Sequence, residues 1–147
     1  MSGISRLFTP VAWPVADPPR LNVVVDTEEE FDWSAPFSRD AVGVTAIAEA
    51  WRLQAVLGPR RTKPTYVIDY PVAATPSSAD TLGAFAHAGE CEIGAHLHPW
   101  VSPPYVEDVC TRNSYACNLD RAVEHQKIAG LKGAIQDGLR LTPRVYK

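Results

Sequence analysis

The chain has few cysteines, Cys91, Cys110 and Cys117, and no C-x-x-C pair among its 147 residues. An odd count without that pair argues against a disulfide framework and against a zinc ribbon, so reduced thiols in a cytosol are the simplest reading. Long apolar runs are missing too. Stretches such as Val72-Ala73-Ala74 fall far short of the ~20 residues of a spanning helix. The first twenty residues contain Pro10, Pro14, Pro18 and Pro19 and no continuous apolar stretch of the ~7–15 residues found in a secretory signal. A proline-rich lead-in over residues 1–19 and a cytoplasmic location are expected. An excess of one charge is also absent: 14 Lys and Arg face 17 Asp and Glu for a net charge of −3. The basic residues are scattered rather than gathered on a stripe, so neither a nucleic-acid nor a membrane partner is expected. No internal repeat is visible.

What is present is an ordinary globular composition, 46% apolar and 21% charged, sufficient to build a core in one domain. Leu21 to Asp26 is short, rich in β-branched residues and reads as a first strand buried on both faces. Val44, Ile47, Ala48, Trp51 and Ala55 recur at helical spacing before Gly58-Pro59. A second strand is expected over Thr65–Tyr70, bounded by Pro64 and Pro71. A helix with Ser77 and Asp80 at its start and Gly89 at its end follows, then a third strand over Cys91–Ala95. After a loop with Pro99, Pro103 and Pro104, Asn118 is a candidate cap for a longer helix carrying Ile128, Leu131, Ile135 and Leu139. Arg144 to Lys147 reads as the opening of a fourth strand. Alternating strands and helices indicate an α/β fold of parallel β/α units, either an open sheet or a barrel. A closed barrel takes ~250 residues, so this chain is expected to supply an incomplete one and to be truncated.

Ligand sites in such folds lie beyond the C-terminal ends of the strands. The first strand runs into Asp26-Thr27-Glu28 and the third into His96-Leu97-His98. Residues two apart in an extended segment share a face, so each pair should converge. Two imidazoles and a carboxylate form the ligand set of a catalytic zinc or non-haem iron site, and a second carboxylate can serve as general base on the bound water. Taken singly, an H-x-H pair is a weak signal, and a run such as Glu28-Glu29-Glu30 is ordinarily a solvated loop face. His87 and His125, on helices, read as surface residues, and Cys110 and Cys117 as a remote alternative for a metal site. Trp33 and Trp100 either pack on a sugar ring or on neighbouring loops. Asp69, at the end of the second strand, either orients a ligand or substrate or caps the next turn.

The segments Val23-Val24-Val25-Asp26-Thr27-Glu28 and Glu92 to Trp100, with their spacing, resemble the polysaccharide deacetylase family with NodB homology. Pro64 to Pro71 and Asn113-Ser114-Tyr115 are also similar to members of that group, so the resemblance spans residues 20–147. It implies a distorted (β/α) barrel that hydrolyses amide bonds, removing N-acetyl or related N-acyl groups from a carbohydrate or another small substrate. It implies a divalent metal, zinc first, with Co, Mn, Ni or Fe as alternatives. Asp26 matches the family's general base, Glu28 its metal carboxylate and His96 its first metal histidine. The family usually spaces its second histidine four residues on, where this chain has Trp100, so His98 is taken as the second ligand. Water on the metal, deprotonated by Asp26, would attack the acyl carbonyl. Residues 143–147 resemble the start of the third-motif strand, and the family's acid-supplying histidine would lie beyond Lys147. Two other readings stand beside this one: a non-catalytic metal- or sugar-binding remnant, and a cyclic amidohydrolase-type enzyme, whose H-x-H normally follows the first strand. A homo-oligomer is left open.

Overall fold

The computed structural model describes residues 20–147, so the proline-rich lead-in lies outside the described residues. Three short strands, β1 (Val24–Thr27), β2 (Thr65–Ile68) and β3 (Glu92–Ala95), pair in parallel and in chain order. Parallel neighbours need a crossover. A 3-10 turn at Thr45–Glu49 and helix α1 (Trp51–Leu57) supply the first; α2 (Tyr70–Ala74) and α3 (Pro76–His87) supply the second. Helix α4 (Arg121–Leu139) follows a long loop after β3. The expected fourth strand is reduced to one parallel bridge between Tyr146 and Ala95.

One face of the sheet carries the core. Tyr66 and Ile68 from β2 and Ile93 and Ala95 from β3 join Ile47, Val72, Leu82, Leu131, Ile135 and Leu139 in a single apolar cluster. By strand alternation, Val24, Asp26, Val67 and Gly94 belong to the other face, where Val145 leans against Gly94. A Cβ on Gly94 would stand 2.8 Å from the Val67 side chain and 3.1 Å from Val145, so only glycine lets these chains approach. Strands added in chain order, with the helices packed on one face, form a small mixed α/β layer. The described residues contain a three-strand arc and no closed barrel.

Several expectations are corrected. β1 is an edge strand, and Val24 is 53% exposed, so β1 is not buried on both faces. The segment Asp69-Tyr70-Pro71 starts a helix rather than extending β2, because the Asp69 carboxylate accepts the Val72 N–H and Pro71 needs no donor partner in a first turn. Thr75, not Ser77, precedes α3 as its cap residue. Asp120, not Asn118, caps α4 by accepting the Ala122 N–H. Helix α1 stops at Gly58 as expected, and Gly58–Arg60 then form a 3-10 turn capped by Arg61 with φ 52°. All three cysteines are free, Cys91 buried and the other two exposed. No helix among the described residues is long and apolar enough to cross a membrane.

Candidate metal centre

The strand register predicts which side chains meet. Asp26, Val67 and Gly94 are aligned across the three strands. Two residues further on, the same row becomes Glu28, Asp69 and His96, and the ladder continues that far, with Asp69 N–H donating to Thr27 C=O and His96 N–H to Ile68 C=O. Glu28 and His96 therefore stand on either side of the end of β2 and reach across it.

Glu28, His96 and His98 each bring a donor atom into one cluster, all within 4.8 Å of one another. Glu28 Oε2 lies 3.3 Å from His98 Nε2 and 3.5 Å from His96 Nδ1. Neither contact has hydrogen-bond geometry, and His96 Nδ1 is buried without any partner. Burial lowers the His96 imidazole to about 4. Burial also lowers His98, against the pull of Glu28, and raises Glu28. Two neutral imidazoles and a half-buried carboxylate, with an orphaned ring nitrogen among them, fit a divalent cation of the zinc type.

Behind this set lies a residue that the sequence did not single out. Glu29 is 3% exposed and Glu28 half-buried, so of the acidic run only Glu30 has the exposure of a solvated face. Its Oε2 meets His98 Nδ1 at 2.8 Å. With the carboxylate accepting, Nδ1 carries the proton and Nε2 turns its lone pair toward Glu28, as carboxylate–histidine pairs do behind metals. Asp69 holds Glu29 in turn: its Oδ2 accepts the Glu29 N–H and its Oδ1 the Val72 N–H, both at 2.9 Å. Burial, reinforced by Glu29, pushes the Asp69 carboxyl up to about 8. Asp69, with no exposed surface, thus both caps α2 and holds Glu29 behind His98. Glu30 serves differently again, accepting from the Thr45 hydroxyl and the Ala46 N–H at the start of the 3-10 turn.

Asp26 lies outside the donor cluster, on the same strand face one pleat earlier, and forms an ion pair with Lys147. Trp33 is 68% exposed and edge-on to His98 at 6.5 Å. Trp100 is buried and stacks on His98, with centroids 4.4 Å apart and planes 21° apart. Its ring face is thus already occupied, and Phe31 and Phe37 pack on it as well; packing on neighbouring loops, the second option for Trp100, is what the structure shows. A cleft of ≈ 480 Å³ opens over His96 and His98 between Trp33, Phe37, Ser114, Tyr115 and Tyr146. A cavity of ≈ 490 Å³ beside Lys63 and Glu90 lies at the opposite ends of the strands and contains none of these groups. His87 and His125 are both exposed, and His87 Nε2 contacts the Leu139 carbonyl at 2.9 Å. No protein-family model, curated protein or solved structure matches this chain.

Proposed function

We propose that this chain is a polysaccharide deacetylase-like metal-dependent hydrolase, acting on the N-acyl group of a carbohydrate or a related small substrate. The observation that carries the reading is the convergence of Glu28, His96 and His98 at the C-terminal ends of β1 and β3, where parallel β/α folds place their chemistry. A divalent metal, zinc or one of Co, Mn, Ni and Fe, would be held by these three residues, and it would acidify a water and polarise an acyl carbonyl. Asp26 faces the same side of the sheet and would take the proton of the attacking water, with Lys147 fixing the carboxylate in place. Glu29 keeps the His98 imidazole in the tautomer that leaves Nε2 free. Trp33, exposed at the mouth of the cleft, offers an aromatic face of the kind that packs on a sugar ring.

Metal analysis of the dialysed protein tests the reading. One equivalent of zinc is expected in the wild type, falling to a trace in His96→Ala while the circular dichroism spectrum is retained. Equal zinc in both proteins overturns the ligand assignment. Hydrolysis of N-acetylglucosamine oligomers, lost in Asp26→Asn, supports the enzyme; zinc binding without any turnover supports the binding remnant instead.

A further inference from the structure

Helix α4 buries a charge. Its inward stripe is Lys127, Leu131, Ile135 and Leu139, an unbroken i, i+4 row headed by a lysine with no exposed surface. Ile128, expected at the head of that stripe, is only partly buried. Removing an ammonium from water is costly unless its donors are met. Here they are met in full: the three N–H groups of Nζ face the carbonyls of Pro99 at 3.0 Å, Ser102 at 2.5 Å and Pro104 at 2.6 Å. Glu107 supplies the counter-charge at 3.0 Å.

These carbonyls belong to one short stretch, and that stretch leaves directly from the metal centre. Pro99 follows His98, and Trp100 within the stretch stacks on the His98 ring. A single 3-10 turn at Pro99–Val101 is closed by the Val101 and Ser102 N–H groups on the His98 and Pro99 carbonyls, and beyond it Pro103 and Pro104 have no N–H to extend a ladder. The same lysine fastens this stretch to α4 from below. On the far side, Arg39 donates to the Glu107 carbonyl and lies over the Tyr105 ring at 5.3 Å, tying in the loop that carries Trp33 and Phe37.

We propose that Lys127 is a positioning residue of the metal centre: by holding the carbonyls of Pro99, Ser102 and Pro104 it sets the backbone that carries the His98 imidazole and its Trp100 backing. The inference rests on the metal reading above. Lys127 touches neither ligand nor substrate and acts only through this loop.

The test uses the full chain and Co2+ alone as probe, read by its visible absorption, which reports ligand number and geometry, and by its dissociation constant. Four proteins are compared: wild type, Lys127→Met, the double variant Lys127→Met/Glu107→Gln, which strands no carboxylate, and Ile135→Val, which trims the same stripe away from the loop. Both Lys127 variants should bind Co2+ at least ~10-fold more weakly, the lower end of the effect of removing an outer partner of a metal site, with an altered band. Ile135→Val should bind as the wild type does. Should the methionine variants fail to fold, Lys127→Gln retains two of the three donors and should still bind several-fold more weakly. A folded Lys127 variant with the wild-type band and affinity overturns the inference alone. A wild type that binds no Co2+ overturns the metal reading and this inference with it.

Discussion

Asp69 is held between two backbone N–H groups with its carboxyl out of reach of water, and that burial has a measurable cost. In an unfolded chain an aspartate titrates near ~4, whereas in this fold it titrates at about 8. Between those values the folded state binds a proton that the unfolded state lacks, so stability falls as pH rises from ~4 to ~8. Burial of His96 and His98 acts in the opposite direction, adding stability as pH rises toward ~6.5, so the Asp69 contribution is read as a difference: urea midpoints of the metal-free wild type should fall relative to those of Asp69→Asn as pH rises from ~4 to ~8, by an amount worth on the order of a few kcal/mol. Parallel pH profiles of the two proteins would show that Asp69 does not titrate in that window. At this scale the convergence of Glu28 with His96 and His98 was readable, because i, i+2 spacing at neighbouring strand ends fixes a shared face, whereas Asp26 lies outside that cluster. Glu29 was not. Glu28, Glu29 and Glu30 are identical in kind and adjacent, yet one faces the histidine pair, one orients His98 and one caps a 3-10 turn. Only partners distant in sequence distinguish them.

Among the elements, α4 contrasts two glycines that look alike in sequence. Both lie inside the helix, where glycine is weaker than alanine by ~1 kcal/mol. Around Gly133 a Cβ would meet nothing within 4 Å, whereas at Gly138 it would stand 2.6 Å from the Ala73 carbonyl oxygen and 3.3 Å from the Ala79 side chain. Gly133→Ala should therefore raise stability by up to ~1 kcal/mol, and Gly138→Ala should lower it by ~1–3 kcal/mol through overpacking against the end of α2. Thermal unfolding of the two variants checks the pair, and equal shifts in one direction would contradict the close approach. Strand and helix periodicity was sufficient to locate β2, β3, α3 and α4 to within a few residues. Helix α2 was hidden because Pro71 stops a strand as well as it starts a helix; the Asp69 cap two residues before it was the available signal.

For the molecule as a whole, alternation of strand and helix made the α/β class legible, since buried parallel strands need helical crossovers of this length. The exposure of β1 was not legible, because a β-branched run looks the same at an edge as at the centre of a sheet. The order of the strands does have a consequence for how the molecule comes apart. Glu28 and His96 directly follow β1 and β3, and β2 lies between those two strands in the sheet. The ligand set can assemble only after the middle strand has been inserted and both of its ladders closed. On the metal reading proposed above, a cation held there would act as a latch fastened last. It would stabilise the native state by mass action and, if the site is unformed in the transition state, its effect should fall on the exit rate. Stopped-flow denaturation with zinc in excess should show slower unfolding than with chelator, and refolding rates that coincide.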